Sequence, residues 1–282
     1  MALPRPESRF LEINGLQLHQ LDWGNPDATP LVFVHGYTST AEAFNGPARR
    51  YRDRFHIVAT DVRGHGDSAW SPTGAYQRAD QVSDLEGIVD ALGFDRFALI
   101  GTSMGGNIAM AYAAAHVERL TRLVINDIGP DVESGSARIT ANVAARPSEF
   151  ATFDDAVAFA RESAPKVMEQ LTDEEQRELV ASRVRRNTDE RWTWKLDPEY
   201  VTQRLVAGPT QRPGWEALAQ ITCPTLVVWA MESDVLSKGQ AHKMIEVLPR
   251  AELVAVPNMV HAPTLREPAA VAALDRFLGD GQ

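Results

Sequence analysis

The 282-residue chain has little cysteine, little cationic charge and no long apolar run. Its single cysteine, Cys223, cannot form an intramolecular disulfide, and its place before an apolar segment predicts a buried structural thiol. The 38 acidic and 28 basic residues give a net charge of −10, which argues against nucleic acid or an anionic membrane as a partner. No apolar run approaches the roughly 20 residues that a membrane span needs.

The first six residues contain no apolar h-region, so we expect no signal peptide and a cytoplasmic location. Hydrophobic residues make up 44% of the chain and charged residues 23%, both ordinary values for a globular protein. A chain of this length and composition can bury a sizeable core. We expect a monomer or a homodimer.

Short apolar runs alternate with helical segments along the chain. An Asn14-Gly15 pair between two alternating runs predicts a β-hairpin. Residues 80–92 carry apolar side chains at helical spacing and end at Gly93. Six continuous apolar runs predict strands of a sheet covered on both faces, at 31–34, 57–59, 97–100, 123–125, 226–229 and 253–256. The alternation predicts an α/β fold with a mostly parallel sheet.

The alternation stops between Ile128 and about Gly214, where no apolar strand pattern is found. Thr152 and Thr172 each begin a capping-box pattern that predicts the start of a helix. The segment is too long and too amphipathic for a loop. We therefore predict a helical cap at 130–214 inserted into a core domain made of 1–129 and 215–282.

The sequence Gly101-Thr102-Ser103-Met104-Gly105 lies between a predicted strand and a helix-compatible run. A strand, a sharp turn and a helix with serine at the turn form a nucleophile elbow, which holds the serine in a strained backbone conformation. Glycines flank the serine because a Cβ atom there would collide with the tight turn. Ser103 is the predicted nucleophile.

A serine hydroxyl needs a base and an acid that orients it. His261 follows the last apolar strand, at the sheet edge where α/β proteins bind ligands, and is the predicted base. Asp234 follows the penultimate strand and gives the chain order Ser, Asp, His, so it is the preferred acid. Asp127, at the end of the fourth apolar run, is the alternative acid, and Glu232 is a third candidate.

The oxyanion hole is predicted to use the backbone N–H groups of Tyr37 and Met104. His35, beside Tyr37, is interpreted as a structural residue that fixes the loop. Asp61, His65 and Asp67 could be read as metal ligands, but their glycine-rich spacing favours a tight loop that braces the elbow. No metal site is predicted.

These motifs together resemble the α/β-hydrolase superfamily over nearly the whole chain. The resemblance implies an eight-stranded sheet, a helical cap after strand six and no cofactor. One departure is Val260, where many members have glycine before the histidine. The elements that carry the resemblance are His35-Gly36, residues 61–66, residues 101–106, Ser233-Asp234 and His261, and the family roles map onto Ser103, Asp234, His261, Tyr37 and Met104.

Two features of the cap bear on specificity. Trp192 and Trp194 alternate, and either pack the cap onto the core or form an aromatic wall for the substrate. Arg191 belongs to a basic cluster with Arg183, Arg185 and Arg186, which is either a solvated face or a source of one arginine for a substrate carboxylate.

The predicted function is a serine hydrolase that cleaves a small carboxylic ester, lactone or amide through an acyl-enzyme on Ser103. Its partner would be a small-molecule acyl substrate. Two alternatives remain open on this evidence. One is a C–C bond hydrolase of the meta-cleavage-product type, and the other is a non-catalytic ligand sensor on the same scaffold.

Overall fold

The computed structural model describes residues 4–208 and 212–279. The predicted core domain begins at residue 1 and ends at residue 282, and both of these positions lie outside the described residues. The strands are β1 Glu7–Ile13, β2 Leu16–Asp22, β3 Thr29–Val34, β4 Phe55–Thr60, β5 Phe97–Thr102, β6 Leu120–Asn126, β7 Glu149–Phe150, β8 Val184–Arg186, β9 Trp192–Trp194, β10 Thr225–Ala230 and β11 Ala251–Val256.

Helices connect most of these strands. They are α1 Asn45–Tyr51, α2 Arg78–Ala91, α3 Met104–Ala115, α4 Ser134–Ala145, α5 Phe153–Ser163, α6 Pro165–Met168, α7 Asp173–Arg183, α8 Pro198–Ala207, α9 Trp215–Ala219, α10 Lys238–Val247 and α11 Pro268–Leu278, with short 3-10 turns at Ala41–Phe44 and Val117–Arg119. Within the described residues, no helix is both long and apolar enough to cross a membrane.

One eight-stranded sheet has the order β1-β2-β4-β3-β5-β6-β10-β11 and confirms the predicted α/β-hydrolase fold. The pairs from β4 through β11 are parallel, whereas β2 pairs antiparallel with both β1 and β4. The predicted hairpin forms between β1 and β2 and turns at Asn14 and Gly15, whose positive φ values of 52° and 74° are those that a type I′ turn requires.

Both faces of the sheet are buried, which explains the continuous apolar runs. Along β3, Val32 and Val34 pack into one core, and Leu31 and Phe33 pack into the opposite one. The first core is covered by α2, α3 and α10, and the second by α1 and α11. Apolar side chains are therefore needed at successive positions of the central strands, not at alternate ones.

The segment between β6 and β10 has its own small core. Phe150, Val157, Met168 and Leu179 are among the side chains buried in it. The helices predicted at Thr152 and Thr172 are present, and each threonine forms a capping box with the acidic residue three positions later. The predicted boundary at 129/130 falls in the link between β6 and α4, and the predicted boundary at 214/215 falls at the start of α9.

The predicted helical cap also contains short strands, which the sequence analysis did not identify. Strands β7, β9 and β8 pair antiparallel into a separate three-stranded sheet in this region. Each of these strands is two or three residues long, which is too short for an alternating pattern to identify it in the sequence.

Candidate active site

The turn between β5 and α3 is the nucleophile elbow that the sequence predicts. Ser103 has φ 53° and ψ −114°, a conformation that non-glycine residues rarely adopt. A Cβ atom on Gly101 would lie 2.3 Å from the carbonyl oxygen of Gly105, and one on Gly105 would lie 2.0 Å from the carbonyl oxygen of Val34. The flanking glycines are thus required by backbone contacts on both sides of the serine.

The structure brings Ser103 and His261 together, as predicted. His261 lies on the loop after β11, and its Nε2 is 2.7 Å from Ser103 Oγ. Both residues stand beyond the carboxyl ends of parallel strands, which meet at one edge of the sheet. The imidazole is in position to take the proton of the serine hydroxyl.

The carboxylate that contacts the imidazole belongs to Asp127. Its Oδ2 lies 2.8 Å from His261 Nδ1, and its Oδ1 accepts a hydrogen bond of 2.9 Å from the backbone N–H of Ala230. Asp127 is completely buried. Because a carboxylate only accepts hydrogen bonds, the Nδ1 atom of His261 carries the proton and Nε2 presents its lone pair to Ser103. This is the tautomer that a general base requires.

Asp234, the preferred acid of the sequence analysis, does not contact the imidazole, and that expectation was wrong. Its Oδ2 lies 2.7 Å from Nε of Arg138, on the cap helix α4, and this ion pair keeps the pKa of the Asp234 carboxyl below its usual range. Asp127 follows β6 directly, whereas Asp234 is four residues past the end of β10. Glu232, the third candidate, pairs with Lys166 at 2.7 Å.

Both predicted oxyanion donors adjoin Ser103. Met104 begins α3, where the first N–H groups have no acceptor within the helix, and Tyr37 lies on the loop after β3. Gly36 permits this loop to come close, since a Cβ atom there would lie 3.4 Å from the Ser103 Cβ. Donation by Tyr37 and Met104 to a reacting oxygen stays a prediction, and their position is compatible with it.

Two buried histidines fix the loop that carries Tyr37. His35 Nε2 accepts a hydrogen bond of 3.0 Å from the Val62 N–H, so its Nδ1 donates to the Gly36 carbonyl at 2.7 Å. His65 Nε2 lies 2.6 Å from the Tyr37 carbonyl oxygen, and burial lowers the pKa of His65 to about 3. Both rings hold backbone groups of the loop and do not contact Ser103, as was expected of His35.

Asp61 is the first residue after β4, and its carboxylate binds several groups of the loop that follows. Its carboxylate accepts hydrogen bonds from the backbone N–H groups of Ala41 and Asp67, at 2.8 and 3.0 Å, and lies 2.7 Å from His19 Nδ1. Asp67 itself forms an ion pair with Lys195 on the cap side. These contacts agree with the interpretation of the segment as a tight loop, and its role in bracing the elbow stays a prediction.

The three cap residues proposed from the sequence to bind substrate lie elsewhere. Trp192 packs against Phe153 in the small core of the cap. Trp194 packs there against Phe150 and Phe159 and also contacts the core of the sheet, which agrees with the alternative that it packs the cap onto the core. Arg191 forms an ion pair of 2.6 Å with Glu149. None of the three lines the cavity beside Ser103, so the expectation of substrate contact was wrong in this structure.

The cavity beside Ser103 has a volume of about 40 Å³, enough for a few water molecules. The sequence analysis missed Arg204 and Arg212, which both line this cavity, because neither belongs to a motif. The remaining lining residues are Tyr37, Met104, Asn107, Ile128, Ser136, Ile139 and Val235.

Comparison with known proteins gives consistent results. A family model described as the alpha/beta hydrolase fold matches residues 29–268. The chain is similar to a 3-hydroxybutyrate-oligomer hydrolase of Cupriavidus necator, with 29% identity over 96% of this chain and 97% of that protein. It is 28% identical to the sn-1-specific diacylglycerol lipase ABHD11 of Mus musculus, over 84% of this chain and 76% of that protein.

A solved structure gives the same result. An alpha/beta hydrolase from Novosphingobium aromaticivorans is 30% identical, with a TM-score of 0.85 over 99% of this chain and 100% of that one. Taken together, the family model and the named relatives support a hydrolase of the esterase or lipase type.

Proposed function

We propose, from the premise that this chain belongs to the α/β-hydrolase family, that it is a serine hydrolase of small carboxylic esters. The observation that carries the proposal is the continuous chain of contacts from Ser103 through His261 to the buried Asp127. The named relatives include an oligomer hydrolase and a lipase, and their names favour an ester over an amide as the bond cleaved.

In the proposed reaction, the Ser103 oxygen attacks the ester carbonyl carbon while His261 Nε2 takes the hydroxyl proton. Asp127 holds the imidazole and stabilises its positive charge. The N–H groups of Tyr37 and Met104 stabilise the negative oxygen of the tetrahedral intermediate. His261 then gives its proton to the leaving alkoxide, and the carbon–oxygen bond breaks to leave an acyl group on Ser103.

Water completes the cycle. His261 removes a proton from a water molecule as that water attacks the acyl carbon, and returns the proton to Ser103 as the second intermediate collapses. The products are a carboxylic acid and an alcohol, and the enzyme is regenerated.

The test is hydrolysis of p-nitrophenyl esters of increasing acyl length by the wild type and by Ser103→Ala. We expect turnover that is lost by several orders of magnitude in the variant and is retained in Ser163→Ala, an exposed serine at the end of α5. Labelling by a fluorophosphonate should likewise require Ser103.

Equal hydrolysis by wild type and Ser103→Ala would refute the serine mechanism. Turnover of vinylogous 1,5-diketones without turnover of any ester would support the C–C hydrolase alternative instead. Binding of small acyl compounds without any turnover would support the sensor alternative.

A further inference from the structure

Two arginines line the cavity beside Ser103 although the protein as a whole is acidic. They are Arg204 and Arg212, and the described residues that line the cavity include no aspartate or glutamate, while Asp131 and Glu133 lie close enough to Arg212 to act on its charge. The whole chain, in contrast, has a net charge of −10. Two cations at the wall of a small, partly closed cavity create a local field that favours a negatively charged group.

Arg212 is a fixed cation in this wall. It donates hydrogen bonds to the carbonyl oxygens of Gly129 and Asp131, at 2.9 and 2.5 Å, and to the Ser136 hydroxyl at 2.6 Å. Burial, together with the nearby charge of Arg204, lowers the pKa of Arg212 to about 10, so it stays charged at neutral pH. Its contacts hold the guanidinium in place at the cavity wall.

Tyr37 carries the second observation. Its side chain is 5% exposed and lines the cavity, and its hydroxyl has no hydrogen-bond partner among the residues that the structure describes. The guanidinium of Arg204 stacks over its ring, 4.2 Å from the centroid. Burial raises the pKa of Tyr37 to about 12, so at neutral pH the hydroxyl is a proton donor that lacks an acceptor.

Arg146, at the end of α4, adds an unbalanced positive charge near Tyr37. Its guanidinium stacks on Trp194 at 3.9 Å, and within residues 4–208 and 212–279 no carboxylate pairs with it. Burial lowers its pKa to about 10, and its charge acts on the Tyr37 side chain. A half-buried cation without an acidic partner can pair with an anion that a ligand supplies.

We propose that the Tyr37 hydroxyl and the Arg204 guanidinium form a subsite for a carboxylate of the substrate, in the field of Arg146 and Arg212. The preferred substrate is then an ester that also carries a free carboxylate, with its ester carbonyl at Ser103. This inference rests on the proposed ester hydrolysis. An anionic group would give the Tyr37 hydroxyl its acceptor and would balance the charge of Arg146.

Two matched substrate pairs test the subsite. One is 3-acetoxybutyrate with its methyl ester, which places the carboxylate on the alcohol part. The other is mono-4-nitrophenyl adipate with 4-nitrophenyl methyl adipate, which places it on the acyl part. We expect kcat/KM to favour the acid in one pair by about 10- to 100-fold, since a hydrogen bond to a charged group contributes on that scale.

Three variants should reduce this preference. In Arg204→Gln, Arg146→Gln and Tyr37→Phe, the ratio of kcat/KM for the acid to that for its methyl ester should fall by about tenfold. Tyr37→Phe keeps the backbone N–H and removes only the hydroxyl. Arg186→Gln is the control, because Arg186 is exposed on the cap and pairs with Glu190, and its ratio should equal that of the wild type.

A binding measurement separates this inference from the proposed function. Calorimetry on Ser103→Ala should detect the acid of the preferred pair and show at least tenfold weaker binding of its methyl ester, whether or not the wild type turns the ester over. Equal binding of acid and methyl ester in both pairs would overturn the subsite. So would variants that lower kcat/KM for acid and methyl ester equally, because the arginines would then act on the reaction and not on a carboxylate.

Discussion

Replacement of Asp127 by asparagine is the sharpest test of the triad geometry. The side-chain oxygen of the introduced amide can still accept the hydrogen bond from the Ala230 N–H that Asp127 Oδ1 accepts at 2.9 Å. The NH₂ group then faces His261 Nδ1, where Oδ2 lies at 2.8 Å in the wild type. Because this NH₂ donates, Nδ1 must become the acceptor and the imidazole proton moves to Nε2, against Ser103.

The expected loss follows from this change of tautomer. With its proton on Nε2, His261 cannot accept the Ser103 proton, and the negative charge that stabilises the imidazolium is also gone. A loss of about 10⁴ in kcat is expected for such a change, or about 5.5 kcal/mol in activation free energy. The volume of the side chain is nearly unchanged, so the fold should persist.

Asp234→Asn is the matched control. Asp234 and Arg138 have side chains that are 40% and 55% exposed, and an ion pair of that kind contributes about 0–1 kcal/mol. We expect kcat on a p-nitrophenyl ester to change by no more than about threefold.

The assay measures kcat and KM for both variants beside the wild type, and thermal unfolding of each confirms that it is folded. A fall of about 10⁴ in Asp234→Asn with near wild-type activity in Asp127→Asn would refute the assignment made from the structure. Comparable small losses in both variants would show that neither carboxylate orients the imidazole.

Two further predictions concern stability. Gly105→Ala should lower the free energy of unfolding, measured with denaturant, by about 3 kcal/mol or more, since its Cβ would lie 2.0 Å from the Val34 carbonyl oxygen. Gly239→Ala in α10 is the control: there is open space around its Cβ, so the same measurement should show a neutral or slightly stabilising effect. Arg266 lowers the pKa of Glu175 from 4.5 to about 2, so the ion pair between cap and core stabilises the fold above about pH 4.5 and loses that effect as the pH falls toward 2. The difference in melting temperature between wild type and Glu175→Gln should therefore shrink over that interval, and a difference that stayed constant would contradict the pairing.

The sheet and the elbow could be predicted from the sequence because each depends on a pattern of neighbouring residues. A strand buried on two faces requires successive apolar residues, and the turn at Ser103 requires glycines because a Cβ atom at Gly101 would lie only 2.3 Å from a backbone oxygen. The same reasoning located His261, since the ends of parallel strands share one edge of the sheet. In each case the physical constraint acts on neighbouring residues, so the chain shows it directly.

The acid could not be decided in that way. Asp127 and Asp234 both lie between Ser103 and His261 in the chain, so the order of the triad does not distinguish them. What decides is distance in space: Asp127 directly follows β6, next to β5, whereas Asp234 extends to Arg138 on α4.

The arginines of the cavity were missed for a related reason. Arg204 lies on α8 and Arg212 in the link that follows. Both line the cavity beside Ser103 through the packing of the cap on the core, and Arg204 stacks on Tyr37. The residue pattern around these arginines does not predict how the cap packs on the core. The expectation for Trp192 and Trp194 was wrong because an aromatic pair at alternate positions fits a protein core as well as it fits a substrate wall.

The separation of Asp127 from Asp234 has a consequence for how the enzyme could diversify. The loop after β6 supplies the carboxylate that contacts His261, while residues 231–235 after β10 hold the cap through Glu232 and Asp234 and reach the cavity at Val235. That second loop also meets the segment before His261, where the Met231 and Glu232 N–H groups donate to the carbonyl oxygens of Val256 and Met259. These are backbone contacts, so side-chain substitutions at 231–235 can alter the wall of the cavity while the contact between Asp127 and His261 is kept. A library randomised at 231–235 would test whether specificity changes without loss of turnover.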